Sequence, residues 1–314
     1  MKKFLQKLLL FSGILYLLAL GVDMAMTHKI QHLETAPYAN WNDIYCSDNL
    51  QHDMLIMGSS RAFVQFNPKI LDSILQVDSY NLGCNGQGMD SELLKYDLYR
   101  RHATAKPKYI LYEVSPGTMY CGGRYEEFQY DPYVYDKYLW EQVRKRRNLS
   151  WADRFVPCWR YIKNMKIYRD IMVNKSYYTN HDNILYKGFI DHDKKWDGSR
   201  YKKVKEINYD KSPKAIRAFE DFLNGCQREG IQVVMVYAPY YIGATAKVKD
   251  VEGMHRMFDG IAERHNCKTL DYTHHPVCND TCYFYNAIHL NRKGATLFST
   301  QLAHDLDSLG IVQP

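Results

Sequence analysis

The spacing of apolar and polar residues predicts five buried strands that alternate with helices. Each predicted strand is a short and almost continuous apolar run, which is typical of a strand covered on both faces. The predicted strands are residues 53–57, 77–82, 109–114, 231–237 and 267–271, and the predicted helices are 68–75, 91–102, 214–229, 254–265 and 293–309. Asn67 is the expected N-cap of the first helix, followed by a proline. The alternation predicts an α/β fold, a three-layer doubly wound parallel sheet with right-handed crossovers.

A second apolar pattern lies at the N-terminus, where residues 4–26 are long enough to cross a bilayer. Lys2, Lys3 and Lys7 precede its centre, so the N-terminus is expected inside and the rest of the chain outside. A cleaved signal peptide is the alternative, but no clean small-residue cleavage site follows the apolar core. The predicted organisation is an anchor or signal at 1–27, a stalk at 28–52 and a domain at 53–314. The main domain is therefore expected to be extracytoplasmic, periplasmic or at the cell surface, and held by a single-pass helix in the cytoplasmic membrane.

The predicted strands and helices are interrupted by an insertion at about residues 118–211. It contains about half of the 27 tyrosines and four of the five tryptophans. From residue 124 to residue 211 there are 20 Lys and Arg against 13 Asp and Glu, a net charge of +7 in a chain of net +6. Basic and aromatic residues together suit single-stranded nucleic acid, but a location outside the membrane argues against that partner. A lid over a site, a patch facing anionic lipid or glycan, and a helical insertion with a solvated basic face remain open.

Eight cysteines leave the disulfide pattern undetermined. Cys278 and Cys282 could form a small disulfide loop, half of a metal site or two buried thiols. The adjacent histidines, His274 and His275, lack the ligand spacing of a zinc site. No metal and no cofactor are therefore expected.

The candidate chemistry lies at the ends of the predicted strands. In an open α/β sheet, ligands bind beyond the carboxyl ends of the strands. Ser60 follows the first strand in Gly58-Ser59-Ser60, and Gly86 follows the second. His289 lies far along the chain, just before the last helix. A serine at a strand end and a late histidine suit a nucleophile and its general base.

These blocks resemble those of the SGNH (GDSL-type) hydrolase superfamily. The layout of the chain, with its N-terminal apolar helix, resembles that of the membrane-anchored envelope members, such as the D-alanine transfer and alginate acetylation proteins. The resemblance covers roughly residues 53–117 and 212–310, and it implies an SGNH-hydrolase-like, flavodoxin-like sheet. Gly58-Ser59-Ser60 is similar to the Gly-Asp-Ser block, Asn81-Leu82-Gly83-Cys84-Asn85-Gly86 to the second block, and Asn286-Ala287-Ile288-His289 to the Asp-x-x-His block.

The resemblance implies a role for each matching residue. Ser60 would be the nucleophile, His289 the base, and the backbone N–H groups of Ser60 and Gly86 the oxyanion hole. Asn286 would orient His289 in place of the family aspartate, supplying an amide without a charge.

A second departure from the family pattern concerns the family's third block, which supplies an asparagine after a strand. That asparagine is missing here, because Ser115-Pro116-Gly117-Thr118 occupies the matching place. Ser115, Asn85, Asp271 and Asp280 are the candidate supports that could compensate for the two substitutions.

Two functions follow as expectations. The first is a membrane-anchored serine esterase or O-acyltransferase that acts on an acyl-bearing glycan of the cell envelope or on a small ester. The second is a catalytically weakened binding or scaffold component of an envelope acyl-transfer assembly. The expected partners are the membrane, through the N-terminal helix, and a membrane O-acyltransferase, with no nucleic acid.

Overall fold

The centre of the fold is a five-stranded sheet in which every neighbouring pair of strands is parallel. The computed structural model describes residues 1–33, 38–122, 127–173, 185–199, 206–209 and 211–313. The described strands are β1 (Met54–Met57), β2 (Ser79–Asn81), β3 (Tyr109–Val114), β4 (Leu185–Tyr186), β5 (Phe189–Ile190), β6 (Gln232–Tyr237), β7 (Lys268–Asp271), β8 (Phe284–Asn286) and β9 (His289–Leu290). The sheet order is β2-β1-β3-β6-β7, and the remaining strands form the antiparallel pairs β4–β5 and β8–β9.

Helices account for most of the remaining regular structure. The described α-helices are α1 (Lys2–Gln31), α2 (Ala39–Cys46), α3 (Ser60–Gln65), α4 (Pro68–Leu75), α5 (Met89–His102), α6 (Lys137–Val143), α7 (Trp151–Phe155), α8 (Trp159–Ile162), α9 (Met165–Met172), α10 (Pro213–Arg228), α11 (Ile242–Thr245), α12 (Val251–Arg264) and α13 (Arg292–Ser308). By its contacts the described chain divides into two compact units. One comprises Ser47–Glu126 and Asp182–Pro314, which we call the sheet unit, and the other comprises Met1–Cys46 and Glu127–His181, which we call the anchor unit.

Helices cover both faces of the sheet. Ile56, Leu111 and Val234 lie in one core cluster with apolar residues of α4 and α13. The next residue of β3, Tyr112, faces the opposite way and packs edge-on against Phe219 of α10, with ring centroids 4.9 Å apart. Alternate side chains of a strand point to opposite faces, so the sheet is buried between two helical layers. The predicted three-layer α/β fold with its parallel sheet is confirmed.

The strand order decides where a ligand site can form. Counted along the chain, the five sheet strands stand in the order 2-1-3-4-5, with the direction of winding reversing between β1 and β3. This is the flavodoxin-like order, in which the crevice at the reversal point lies beyond the carboxyl ends of those two strands. Residues that directly follow β1, or that end β3, are therefore neighbours at that crevice.

The inserted segment is more regular than its sequence pattern suggested. Within the part of 118–211 that the structure describes lie α6, α7, α8, α9 and the β4–β5 pair. The sequence located no individual element there, although a helical insertion was one of its open alternatives. Residues 123–126, 174–184, 200–205 and 210 lie outside the described residues. Each of these helices has at most eight residues. Such short helices depend on packing rather than on propensity, and they show too few turns for a clear period.

The anchor unit combines the N-terminal helix with most of the inserted segment. α1 has 30 residues and is long and apolar enough to cross a membrane. Most of its N-terminal side chains are exposed, whereas Asp23 and Ile30 are buried. Ile30 belongs to a separate core cluster with Tyr161, Tyr168 and Ile171.

The Cys278–Cys282 segment shows which of the three cysteine alternatives the structure contains. Both residues are free thiols. The Cys278 side chain is buried with its sulfur 3.5 Å from the Tyr272 carbonyl, and burial raises the pKa of this thiol to about 12. Cys278 is therefore a buried thiol and Cys282 a partly exposed one, and they do not form a disulfide loop.

Candidate active site

Ser60 and His289 come into direct contact. The Oγ atom of Ser60 lies 2.7 Å from Nε2 of His289, which is a normal hydrogen-bond distance. Ser60 is the first residue of α3, immediately after the turn that ends β1. Ser59 is the N-cap of this helix, and its side-chain oxygen accepts from the backbone N–H of Arg61 at 3.3 Å. The start of α3 therefore holds Ser60 at the crevice with its hydroxyl facing the imidazole.

Asn286 supports the other side of the imidazole. Its Nδ2 lies 3.0 Å and its Oδ1 3.1 Å from Nδ1 of His289. Oδ1 also accepts from the backbone N–H of Ile288 at 3.0 Å. If Oδ1 accepts from Nδ1–H, Nε2 is bare and can take the proton of Ser60. If Nδ2 donates to Nδ1, the proton lies on Nε2 and the ring cannot act as a base. The amide permits both tautomers, which a carboxylate would not.

A short hairpin and the helix behind it position the histidine. Asn286 of β8 pairs with His289 of β9, and the ring of Tyr285 stacks on the imidazole at 5.3 Å with an interplanar angle of 8°. Asn291 then caps α13 by accepting from Gly294 N–H, while its Nδ2 donates to the carbonyls of Cys282 and Phe284. The residues after His289 thus tie the hairpin to the last helix.

Position 294, in the segment after His289, has no room for a side chain larger than that of glycine. A Cβ atom at this position would approach the Tyr283 carbonyl oxygen to 2.3 Å, which no side chain can do without displacing the backbone. The close approach brings the start of α13 against the hairpin that carries His289. A larger residue here would therefore shift the imidazole.

The surroundings of His289 favour its neutral form. Burial is the main cause, and the positive charge of Arg61 and the neighbouring His192 add to it, so that the pKa of His289 is lowered to about 3. The residue as a whole is nevertheless half-buried rather than fully enclosed. A neutral imidazole at neutral pH can accept a proton, but these surroundings stabilise the resulting cation poorly.

A buried ion pair lies directly beside the nucleophile, and the sequence interpretation did not include it. Glu113, near the end of β3, accepts from Ser59 Oγ at 2.7 Å and from Arg61 Nε at 2.8 Å. Arg61 and Glu113 are 6% and 0% exposed. The guanidinium also lies over the Tyr240 ring, 4.3 Å from its centroid. Gly58 permits this arrangement, because its φ is +131° and a Cβ there would come within 2.8 Å of Glu113 Cβ.

We expect Glu113→Ala to lower the free energy of unfolding by about 3–5 kcal/mol, because it leaves the Arg61 charge buried without its partner. The double variant Glu113→Ala/Arg61→Met should recover most of that loss, since it removes both charges. Urea unfolding of the full chain in detergent, followed by circular dichroism, measures the effect. Glu229→Ala is the matched control. It breaks an ion pair with Arg100 that is partly exposed and should cost less than about 1 kcal/mol. Equal losses in the two single variants would contradict a structural role for the buried pair.

The loop after β2 is held rigidly against α3. Asn81 accepts from Gly83 N–H at 2.9 Å and donates to the Ala62 and Phe66 carbonyls. A Cβ on Gly83 would meet the Phe63 backbone nitrogen at 2.4 Å, so only glycine allows this approach. The predicted oxyanion glycine, Gly86, follows in the same loop with a φ of +62°. Its N–H remains the predicted second oxyanion donor beside that of Ser60.

The other candidate supports lie in local structures of their own. Ser115 is buried, and its backbone N–H and hydroxyl both bond the Thr118 side chain. Asp271 accepts from Thr273 and lies 3.6 Å from His255, whereas Asp280 caps the short helix at Cys282. Asn85 is partly exposed in the loop that also contains Gly86. Among the described hydrogen bonds, the His289 ring is bonded by Ser60 and Asn286 alone.

The sheet has the flavodoxin-like strand order, and the Ser60–His289 contact lies at its β1/β3 crevice. No protein-family model matches the sequence, and a search of curated proteins finds no match. Two solved structures are similar in layout. A protein of Desulfitobacterium hafniense described as lipolytic and of the G-D-S-L family is 10% identical with a TM-score of 0.40, over 80% of this chain and 97% of that one. A Bacteroides fragilis protein described as an acylhydrolase is 11% identical with a TM-score of 0.40, over 88% and 97%.

The residues that the sequence interpretation missed had weak local signals. Arg61 directly follows the predicted nucleophile, and Glu113 is a charged residue inside an otherwise apolar strand. A charge within a buried strand needs a partner. The partner could not be identified from spacing, because 52 positions separate the two residues. His192 reaches the site in a similar way, with its ring 4.4 Å from Tyr285, from a segment that lacks a motif.

Proposed function

We propose that this protein is a membrane-anchored serine esterase or O-acyltransferase of the SGNH type. The observation that carries the proposal is the 2.7 Å contact between Ser60 Oγ and His289 Nε2 at the reversal point of the sheet. Asn286 contacts the other imidazole nitrogen, Nδ1, and so takes the place of the orienting group in a serine–histidine–aspartate triad.

The proposed reaction proceeds through an acyl-enzyme. Ser60 Oγ attacks the acyl carbonyl carbon as its proton passes to Nε2 of His289, and the carbonyl oxygen becomes an oxyanion near the N–H groups of Ser60 and Gly86. The tetrahedral intermediate collapses when the ester C–O bond breaks, and the leaving alcohol takes the proton from His289. Water or an acceptor hydroxyl then attacks the acyl-Ser60 ester with His289 again as base. Water gives hydrolysis, and a hydroxyl gives acyl transfer.

The proposed substrate is an acyl ester of a cell-envelope glycan. The support for it is the apolar helix α1 with basic residues at its start, which favours a position of the sheet unit outside the cytoplasmic membrane. A membrane O-acyltransferase remains the proposed partner that would supply the acyl group.

A second function is favoured by the charges around His289. Asn286 supplies no negative charge, whereas Arg61 and His192 both oppose protonation of the ring. Such a site forms an imidazolium with difficulty, as expected for a weakened hydrolase that acts as a binding or scaffold component of an acyl-transfer assembly. This alternative leaves the Ser60–His289 contact unused.

Labelling with a fluorophosphonate probe distinguishes the two functions, because the probe reacts only with a serine that a base activates. We expect the full chain in detergent to be labelled and Ser60→Ala not to be labelled. Ser73→Ala, which removes an exposed serine of α4, is the matched control and should label as the unsubstituted chain does.

Each outcome of the labelling has a defined meaning. Equal labelling of the unsubstituted chain and Ser60→Ala would place the reactive group elsewhere and refute the proposal. Absence of labelling in the unsubstituted chain, together with no release of acid from an acetylated glycan, would favour the scaffold function. Release of acid that requires Ser60 supports the esterase, and acetyl movement to an added glycan supports the transferase.

A further inference from the structure

Three short helices of the anchor unit run along the second half of α1. We call α7, α8 and α9 together, residues 151–172, the collar. Their contacts with α1 follow its axis over about four turns. The contacts are Tyr16 OH with the Phe155 carbonyl at 3.2 Å, Cys158 Sγ with the Ala19 carbonyl at 3.5 Å, Thr27 Oγ1 with Tyr161 OH at 2.6 Å, and Lys29 Nζ with the Met172 carbonyl at 2.6 Å.

A buried ion pair joins the collar to α1. Arg160 donates to Asp23 Oδ1 at 2.6 Å and to Thr27 Oγ1 at 3.0 Å. The backbone N–H of Cys158 donates to the other Asp23 oxygen at 2.7 Å. Both charged residues are 1% exposed. An acidic residue on a membrane-spanning helix is costly unless it is paired, so the collar provides the partner that lets α1 contain Asp23.

The collar exposes apolar and aromatic side chains on each of its helices. Trp151 and Phe155 stand one turn apart on α7 and are 69% and 58% exposed. Trp159, Ile162 and Met165 of the next two helices are 45%, 50% and 60% exposed. Exposed tryptophan and large apolar side chains on consecutive helices are unusual for a surface in water, and they are typical of the membrane interface.

The position of the collar along α1 agrees with the level at which the helix leaves a bilayer. Phe4 to Asp23 comprises 20 residues, 23 − 4 + 1, which is about 30 Å of helix and equals the hydrocarbon thickness. Asp23 then lies at the outer boundary of the hydrocarbon. Tyr16 lies seven residues deeper, roughly 10 Å below that boundary. The collar therefore extends from the headgroup level into the outer half of the bilayer.

An apolar groove of about 440 Å³ opens between α1 and the collar. Val22 and Met26 line it from α1, and Ile162, Met165 and Met172 line it from the collar. The groove continues the apolar surface of the spanning helix. Val22 and Met26 lie on either side of Asp23, so the groove is at the outer boundary of the hydrocarbon, where the acyl chains of the outer leaflet begin.

The charge of the collar complements anionic lipid. It contains five basic residues and two acidic ones, a net charge of +3, which is 5 − 2, and Asp23 of α1 neutralises the buried Arg160. Lys163, Lys166 and Arg169 are exposed, with Lys163 beside Asp153 and Arg169 beside Asp170. Long basic side chains can lie along apolar surface and place their charge among phosphate groups.

We propose that the collar is immersed in the outer leaflet of the bilayer that α1 crosses, with a phospholipid acyl chain in the groove and the basic side chains among anionic headgroups. This inference rests on the membrane anchoring in the proposed function. It assigns the collar part of the aromatic and basic insertion to a lipid surface rather than to a lid or a glycan. The collar is then a second attachment that fixes the rotation and tilt of α1 at the interface.

The test uses the full chain reconstituted into vesicles of phosphatidylcholine and phosphatidylglycerol. Subtracting the fluorescence of Trp151→Phe/Trp159→Phe from that of the unsubstituted chain isolates the emission of the two collar tryptophans. We expect this emission to lose most of its intensity when the lipid is brominated near the headgroup end of its acyl chains. Iodide in the buffer should quench it little. Trp196→Phe, in the sheet unit, is the control and should leave the bromine-quenched emission unchanged.

Two results would overturn the collar proposal. Quenching by iodide without quenching by brominated lipid would place the tryptophans in water. Protection from both quenchers would show that protein covers them. Alkaline extraction of the same vesicles separates this failure from loss of the anchor, because a chain held by α1 stays with the membrane. A chain that is released would instead refute the anchoring itself.

Discussion

His289→Ala is expected to lower kcat/KM for ester hydrolysis by about 10³- to 10⁴-fold. General base catalysis by a positioned histidine contributes up to about 10⁴-fold, and its loss leaves Ser60 with no acceptor for its proton. The structure offers no replacement within the described contacts, since the hydroxyl of Ser60 is bonded to His289 alone. Steady-state hydrolysis of p-nitrophenyl acetate measures the loss. Added imidazole should restore part of the activity, because the shortened side chain leaves space where the ring stood.

His304→Ala is the matched control for that experiment. His304 is exposed on α13, the helix that follows the hairpin of His289. Its removal should leave turnover unchanged and show that loss of an imidazole as such has no effect. If His289→Ala keeps its rate within about tenfold of the unsubstituted chain, His289 is not the base. The scaffold function would then be preferred.

Asn286→Asp is expected to raise hydrolysis by roughly 10²- to 10⁴-fold. Replacing the orienting aspartate by asparagine cost about 10⁴-fold in a serine protease, so the reverse change should regain a large part of such a factor. A carboxylate can only accept from Nδ1–H, which leaves Nε2 bare to take the proton of Ser60. It also supplies the negative charge that the imidazolium lacks beside Arg61 and His192.

The same variant should change the pH dependence in a defined direction. In the unsubstituted chain the pKa of His289 is lowered to about 3, so the base stays deprotonated and activity should not fall on acidification until that range is reached. A carboxylate next to the ring favours the protonated form and raises the pKa by about 1–3 units. The acidic limb of the kcat/KM profile should therefore move to higher pH in Asn286→Asp.

Comparison of the two profiles decides whether charge is the missing feature. A higher rate with an upward-shifted acidic limb supports the proposed role of position 286. An unchanged rate with a shifted limb would show that imidazolium stability does not limit turnover. An unchanged rate and an unchanged limb would contradict contact between the new carboxylate and His289. Asn291→Asp is unsuitable as a control, because Asn291 donates to two carbonyls that position the hairpin.

The long regular elements could be predicted because their signal is local. All five sheet strands occur in the structure within two residues of the predicted boundaries, and the helix after Asn67 begins at the predicted residue. Buried strands and amphipathic helices carry their burial pattern in their own sequence. α3 and the β8–β9 hairpin were missed, because a helix of six residues and strands of two or three residues are too short for a period.

The site residues also differ in whether local sequence could identify them. Ser60, His289 and Asn286 could be named from blocks of adjacent residues and their order along the chain. Arg61 and Glu113 could not be paired in that way, and neither could Asp23 and Arg160, which are 137 positions apart. A buried charge requires a partner. The sequence does not show which residue that partner is, because burial and distance are properties of the folded chain.

The sequence by itself determined the parallel α/β architecture, the apolar N-terminal helix and the serine, histidine and asparagine of the candidate site. These features depend on local periodicity and on short blocks. Only the tertiary structure decided that Ser60 and His289 are in contact, that either the oxygen or the nitrogen of the Asn286 amide can meet the ring, and that the collar packs along α1. The two contacts bring together atoms of residues that are more than a hundred positions apart, and the third feature is the orientation of one amide. The spacing of residues along the chain determines neither a long-range contact nor the orientation of a side chain.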